Sequence, residues 1–373
     1  MNKKTIAFLN CHGDDVYCFR KEVIDALVAN GYRVILSCPA SHRLDCFRNN
    51  ESIVVEDIKI DRRGTNPFHD LKLLLDYIKL YKRNKPDIVC AFTIKPNVYG
   101  SLAADILGIP HINNITGLGS GFQNGGLIQR VVIRLYRKAL KRSKMVFFQN
   151  MENQQTAIEA KLLGEGVPYK CIPGSGVNLE RFIVSPKDSE DGVVFNYIGR
   201  VLKDKRIDDY LDAARIIKQK HNNVIFNIIG FIEPTEIHYK RLLEELEQMG
   251  VIHYCGSVDD VRPYVKASDA IIHPSSYGEG ISNVLLESAA SGKAIITTDI
   301  SGCKDCVDDG VSGFIYHAED VSQLVDKIEK FIALTPQQRK DMGLAGRRKV
   351  EKDFDRKIVV NAYLQEVKRL VCE

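Results

Sequence analysis

Ala270-Ile-Ile-His-Pro-Ser-Ser-Tyr-Gly-Glu-Gly-Ile-Ser-Asn-Val-Leu-Leu-Glu-Ser-Ala-Ala-Ser-Gly292 is the stretch on which the fold turns. Residues 270–272 are a short apolar run, a loop with Gly278 and Gly280 follows, and a helical pattern opens at Ser282 and stops at Gly292. Ser is a favoured N-cap and Gly a favoured terminator, so the order is strand, tight loop, helix. That is the repeating unit of a parallel sheet covered by helices. Outward from it the same alternation recurs. Strand-like runs stand at residues 193–197, 224–229, 253–254 and 294–297, and an earlier series at 5–9, 33–37, 53–56, 88–91, 111–114 and 145–148. Helical patterns fill the gaps, as at residues 20–30, closed by Gly31, and 71–82; after residue 322 the chain reads as helix to its end.

The alternation restarts near residue 190, and a chain of 373 residues exceeds what one core usually spans. The expectation is an α/β protein of two doubly wound domains, residues 1–180 and 181–355. An amphipathic C-terminal helix, 356–373, should return toward the first domain. Residues 172–191, rich in Pro, Gly, Ser and acids, mark the crossing. In such sheets ligands bind outside the carboxyl ends of the strands, here in a cleft between the domains, so the loops after strands carry the chemistry.

Composition bounds the function. No apolar run approaches the roughly 18 residues of a membrane span, and Met1 to Lys4 lead directly into a strand-like run, which argues against a signal peptide or anchor. The ten cysteines lack the paired spacing of a disulfide framework or zinc site, and Cys303-Lys-Asp-Cys306 stands alone, so a reduced, cytoplasmic protein is expected. Residues 1–180 carry 25 Lys and Arg against 17 Asp and Glu, whereas residues 181–373 carry 27 against 31. The basic half suits an anionic surface such as membrane or polyphosphate, and the acidic half gives no reason to expect nucleic acid.

In the quoted stretch, backbone N–H groups at the helix start and the positive end of its dipole point at the loop mouth, where a phosphate or polar sugar can bind. Glu279 in the loop and Glu287 in the helix could accept hydrogen bonds from hydroxyls on a sugar and on a ribose. Taken alone, the two carboxylates read equally well as a solvated loop residue and a backbone cap. Gly199-Arg-Val-Leu-Lys-Asp-Lys-Arg206 directly follows the run at 193–197. Fixed cations there would stabilise the charge that accumulates on a departing diphosphate without a metal. Asp14-Asp15 lacks the ligand count of a Mg²⁺ or Mn²⁺ site, and no metal is expected.

The segment with Glu279 and Glu287 resembles the glutamate-x7-glutamate signature of retaining glycosyltransferases of family 4. Its surroundings are similar to that family too: Gly256-Ser-Val-Asp-Asp-Val261 and Ser268-Asp-Ala-Ile-Ile-His-Pro-Ser275 before it, and Gly302-Cys-Lys-Asp-Cys-Val-Asp-Asp-Gly-Val-Ser-Gly-Phe314 after it. The resemblance implies the GT-B fold of two Rossmann-like domains, a nucleotide sugar held mainly by the second, and front-face substitution without metal or other cofactor. It assigns catalytic roles to Glu279, Arg200 and Lys205, and donor contacts to Glu287, Gly280, Ile281, Ser282, Asn283, Gly13 and Thr116. Relatives place a histidine where this chain has Thr116, and often Glu where it has Asp305, whose role stays open.

Asn10-Cys-His-Gly-Asp-Asp-Val-Tyr17, Thr93-Ile-Lys-Pro-Asn-Val-Tyr-Gly100 and Asn113-Asn-Ile-Thr-Gly-Leu-Gly-Ser-Gly-Phe122 follow strands of the first domain. The last two resemble a bacterial subset that builds cell-surface polysaccharides, including enzymes that add N-acetylgalactosamine to undecaprenyl-diphosphate-linked sugars. Lys95, Asn97 and Tyr17 are the expected acceptor contacts, with a surface-lysine reading open for Lys95. Residues 127–144 carry seven cations and no acid. On a helix, Arg130, Arg134, Arg137, Lys138 and Lys141 would meet an anionic leaflet, or the apolar stripe packs into its own core with the cations solvated. The expected activity is transfer of an N-acetylhexosamine from a UDP-sugar to an undecaprenyl-diphosphate-linked saccharide in capsule, O-antigen or glycan assembly, at the inner face of the cell membrane. The rivals are a sugar-nucleotide 2-epimerase of the same fold, a GDP-sugar-dependent transferase, and a non-catalytic nucleotide-sugar-binding protein.

Overall fold

A computed structural model describes residues 3–62, 64, 66–118, 126–187 and 192–372. Residues 119–122, the glycine-rich end of the third first-domain loop, and 188–191 of the crossing lie outside the described residues. The chain divides into two compact units, one running to Ser175 and resuming at Arg356, the other spanning Gly176–Asp355. The crossing falls a few residues before residue 180, because the backbone N–H of Val177 donates to the carbonyl of Phe354 at 2.8 Å inside the second unit.

The first unit holds a seven-stranded parallel sheet: β1 (Thr5–Leu9), β2 (Arg33–Cys38), β3 (Ile53–Asp57), β4 (Ile88–Phe92), β5 (His111–Ile115), β6 (Met145–Phe148) and β7 (Tyr169–Cys171). Their order is β3-β2-β1-β4-β5-β6-β7. β1 and β4 are buried along their whole length, as a strand covered on both faces must be, which is why they read as unbroken apolar runs. The terminal helix Arg356–Cys372 buries Val359, Tyr363 and Val367 against Phe8, Phe92 and Phe147, and Arg356 holds Glu22 at 2.7 Å.

The second unit repeats the plan with β8 (Val193–Ile198), β9 (Val224–Ile229), β10 (His253–Gly256), β11 (Ala270–His273), β12 (Ala294–Thr298) and β13 (Gly313–Tyr316), in the order β10-β9-β8-β11-β12-β13, all parallel. Phe195 stacks on Phe226 at 5.4 Å in a core to which each fully buried large apolar side chain contributes about 1.5–3 kcal/mol.

The structure adds two strands to the sequence reading. β7 and β13 are short edge strands: Tyr169-Lys-Cys171 is largely exposed and has no apolar run, and Gly313-Phe-Ile-Tyr316 is only four residues long. The continuous helix expected after residue 322 is three helices, Val321–Ala333, Pro336–Asp353 and Arg356–Cys372. Thr335 caps the second with Gln338 in a capping box and Pro336 at its first position, a restart signal. Among the described residues no helix is long and apolar enough to cross a membrane.

Each sheet reverses direction once in its strand order, between β1 and β4 and between β8 and β11. Loops leaving the carboxyl ends of two such adjacent strands diverge and leave a crevice, where ligands bind.

Candidate functional site

At the β8/β11 reversal the two sequence motifs meet. After β8 the chain runs through Gly199 and Arg200 to a short 3-10 turn, Lys203–Lys205. After β11 it runs from Pro274 through Glu279 to the helix Asn283–Ala290. The Lys205 ammonium donates to the Glu279 carboxylate. Nε2 of His273, the last residue of β11, lies 3.4 Å from that same carboxylate oxygen and 3.4 Å from the Ser282 hydroxyl. Arg200 Nη1 donates to Glu233 at 3.1 Å, and Glu233 stands in the loop after β9, the strand beside β8. Of the expected set, Arg200, Lys205 and Glu279 come to one sheet edge. Glu287 is partly buried in the second turn of the helix.

Burial pushes the Lys205 ammonium down to about 8, with Cys303 and Asp204 opposing the fall and the nearby Arg200 cation adding to it. Burial and the Lys205 charge hold His273 well below the usual imidazole range, so the ring is neutral and hydrogen-bonds rather than pairing ions. Burial pushes the Cys303 thiol up to about 11, which leaves it protonated. His273, Glu233 and Cys303 were not among the expected site residues. A histidine ending a buried apolar strand just before the site loop was the available signal for the first; Glu233 was legible only once β9 was known to neighbour β8.

The Glu279 loop is braced from beneath. Ser282 N–H donates to Gly302 O at 2.9 Å, and Gly302 takes φ +81. A Cβ there would sit 2.7 Å from Gly280 O and 2.8 Å from Glu279 O, so only glycine fits. Asp305 accepts from Gly302 N–H at 2.8 Å, which gives that carboxylate a place: it holds the turn that carries the brace. Ile281 is buried against Leu285, Cys303 and Cys306 and anchors the loop's end. Ser282 occupies the N-cap position without capping through its hydroxyl, and the buried Asn283 Oδ1 has no hydrogen-bond partner. Beside Lys205, Lys203 is exposed, while Arg206 is committed to Asp209 at 2.7 and 3.0 Å.

The β1/β4 edge is built differently, and one expectation, Asn97 as an acceptor contact, is corrected there. The helix after β1 starts at Gly13, so the loop is only residues 10–12. A Cβ on Gly13 would meet Pro39 O at 2.6 Å; the glycine is required by packing of the helix start, whatever it does for a ligand. Tyr17 sits in that helix, half-buried against the core with Arg43 over its ring. Asn97 is 0% exposed: its amide donates to Asn114 O at 2.8 Å, and its oxygen accepts from Asn113 at 2.9 Å. With both ends used inside the fold, Asn97 is a structural residue rather than an acceptor contact. Lys95 pairs with Asp70 at 2.7 Å, and Tyr99 donates to the same carboxylate at 2.8 Å. Thr116 follows β5 and is partly buried. Thr93, at the end of β4, holds φ +66, a strained setting for a β-branched residue.

In the helix Gly126–Leu140, Tyr136, Ala139 and Leu140 are buried and Val132, Ile133 and Leu135 pack beside them. The apolar stripe therefore serves the unit's own core. Arg130, Arg134, Lys138 and, beyond the helix, Lys141 are exposed. Arg137 donates twice to the carbonyl of Ala160, at 2.8 and 3.2 Å, and ties down the end of the next helix, Met151–Glu159. Among the described residues no three His, Cys, Asp or Glu gather as a metal site requires.

Two parallel sheets of this topology, with a cation and carboxylate set at the second reversal, define a glycosyltransferase of the GT-B class, and the comparisons agree. Residues 180–349 match the family described as glycosyl transferases group 1, and residues 5–150 the one described as glycosyl transferase 4-like; the chain belongs to the glycosyltransferases built from these two parts. It is 26% identical to the N,N'-diacetylbacillosaminyl-diphospho-undecaprenol alpha-1,3-N-acetylgalactosaminyltransferase of Campylobacter jejuni, over 98% of this chain and 99% of that one. It is 29% identical to the capsular polysaccharide biosynthesis glycosyltransferase CapM of Staphylococcus aureus, over 80% of each. In fold it is similar to Anabaena HepE, crystallised with UDP and glucose, with a TM-score of 0.79 at 19% identity over 98% of this chain and 99% of that one.

Proposed function

We propose that the chain transfers an N-acetylhexosamine from a UDP-sugar to an undecaprenyl-diphosphate-linked saccharide, with retention of anomeric configuration and without metal. The observation that carries this reading is the pairing of Lys205 with Glu279 beside Arg200 at the β8/β11 reversal. Each ion pair is a ready exchange point. A diphosphate can take the cations, and sugar hydroxyls can take the carboxylate of Glu279, with little rearrangement of a site already in place. Glu287, Gly280, Ile281, Ser282 and Asn283 form the rest of the donor site, with the open first turn of the helix facing a polar ligand. The acceptor hydroxyl oxygen forms its bond to the anomeric carbon on the face from which the diphosphate leaves. The sugar–phosphate bond breaks, and the hydroxyl proton passes to the departing phosphate oxygen. Lys205 and Arg200 stabilise that leaving group.

The lipid-linked acceptor is supported by the activity of the Campylobacter relative, aligned over nearly the whole chain, and would bind the first unit. Lys95 offers it a cation held by Asp70, and the exposed Arg130, Arg134, Lys138 and Lys141 suit the inner leaflet of the cell membrane. The test is a panel of UDP- and GDP-sugars against undecaprenyl-diphosphate-linked sugars, with products read by mass. One UDP-N-acetylhexosamine should add a single residue. Conversion of UDP-N-acetylglucosamine without an acceptor would instead identify an epimerase, and UDP binding with no turnover on any acceptor a binding protein.

A further inference from the structure

The helix Pro67–Asn84 of the first unit has two apolar faces. Leu73, Tyr77, Leu80 and Tyr81 are buried in the sheet-covering core, as a surface helix requires. The opposite face carries Phe68, 79% exposed, Leu71, 53%, and Leu75, 47%. At 3.6 residues per turn these three and Lys79 and Lys82 fall within an arc of about 80°, with Lys72 at its border. Large apolar side chains grouped at this spacing on the outside of a helix, extended by lysines, are unlike the scattered exposed leucines of ordinary surfaces.

The position of Phe68 is set by the helix start. Asn66 caps through its side chain, which accepts from Phe68 N–H at 3.0 Å, and Pro67 stands at the first helical position. Of the two acids in the helix, Asp70 is turned away to Lys95 and Tyr99, and Asp76 lies 4.0 Å from Lys79. Residues 59–85 hold eight Lys and Arg against three Asp. The outer face therefore combines an aromatic, two leucines and a net positive charge. An anionic bilayer surface answers both properties: the apolar side chains enter the acyl boundary and the ammonium groups meet the headgroups.

We propose that Phe68, Leu71 and Leu75, flanked by Lys72, Lys79 and Lys82, dock this chain on an anionic lipid surface. The inference rests on the lipid-linked acceptor reading for its purpose, and it names a face distinct from the basic helix Gly126–Leu140. Asp70 gives the face its meaning. Two residues on from Phe68, it holds Lys95 and Tyr99 of the segment that leaves the carboxyl end of β4, so docking is mechanically tied to the β1/β4 edge where a ligand binds.

The experiment is co-sedimentation of the full chain with phosphatidylglycerol–phosphatidylethanolamine vesicles and with phosphatidylcholine vesicles. The wild type is compared with Phe68→Gln/Leu71→Gln/Leu75→Gln, which keeps good helix formers on the exposed face. The wild type should bind the anionic vesicles, and the triple variant should bind them about tenfold or more weakly, with unchanged circular dichroism and melting temperature. Its transfer to a short-chain, water-soluble polyprenyl-diphosphate sugar should match the wild type. Equal vesicle binding by both proteins overturns the proposal. So does a wild-type dimer by light scattering that the triple variant converts to monomer, because the face would then be covered by a second copy. If no lipid-diphosphate sugar accepts transfer while vesicle binding still depends on these residues, the acceptor reading fails and the docking face stands.

Discussion

The two sheets reverse direction beside their first strands, β1 against β4 and β8 against β11, yet they use the polar groups at those edges in opposite ways. In the first unit, beside β4, most of the polar side chains are consumed by the fold. Asn97, just after β4, and Asn113, His111 and Ser143, on or beside β5 and β6, form a buried network in which Asn113 contacts the other three at 2.8–2.9 Å. At β8/β11 the groups are charged, partly buried and matched in ways a ligand can replace: Lys205 with Glu279, Arg200 with Glu233. The same topology thus yields a rigid platform in one unit and a poised electrostatic site in the other. What separates them is whether each group's partner is backbone and amide or an exchangeable ion.

That contrast is broken most sharply by Lys205→Ala. Removing a cation aimed at a departing diphosphate should lower kcat/KM by roughly 10²–10³ while the melting temperature stays within a few degrees. Steady-state kinetics beside thermal melts check this, and a near-normal rate would dissolve the contrast. Next in size is Gly302→Ala. Its φ of +81 and the 2.7 Å approach to Gly280 O should cost about 1–3 kcal/mol in denaturant unfolding and lower transfer as well, because the brace under Glu279 shifts. Asn97→Ala should lose about 1–3 kcal/mol of stability, since it leaves buried groups of Asn113 and Asn114 unsatisfied, with donor KM unchanged. A purely kinetic effect of Asn97→Ala would put that residue back in the site.

The smallest effect is in pH. Burial lowers Lys205 to about 8, so diphosphate binding should weaken as pH rises through that value and the ammonium loses its proton. Its effect on stability has the opposite sign. A buried charged amine disfavours folding below its folded-state value, and that cost is relieved as pH rises from about 8 toward its ordinary 10.5. Donor KM rising above pH 8 without loss of melting temperature is the combined signature.

Much of this was legible in the residues. Strand after strand is buried on both faces and therefore reads as an unbroken apolar run, and Gly292 and Ser282 bracket a helix whose start carries the motif loop. Glu279 and Lys205 were found by the company they keep in sequence. Their direct pairing was not legible, because 74 positions separate them and only the β8/β11 adjacency brings them together. His273 was hidden by looking like the end of a core strand. Asn97 failed for the converse reason: at a strand-end loop, a polar residue bonded inward and one offered outward have the same sequence appearance. The stripe of Phe68, Leu71 and Leu75 was masked by the second apolar face of its own helix.

The most direct test of the account is a calorimetric titration of UDP into the wild-type chain, Lys205→Ala and Asn97→Ala at pH 7. One UDP per chain should bind the wild type and the Asn97 variant equally, and Lys205→Ala should bind about tenfold or more weakly. Equal affinity for UDP in Lys205→Ala and wild type, with both proteins folded, would contradict the claim that the β8/β11 edge holds the diphosphate.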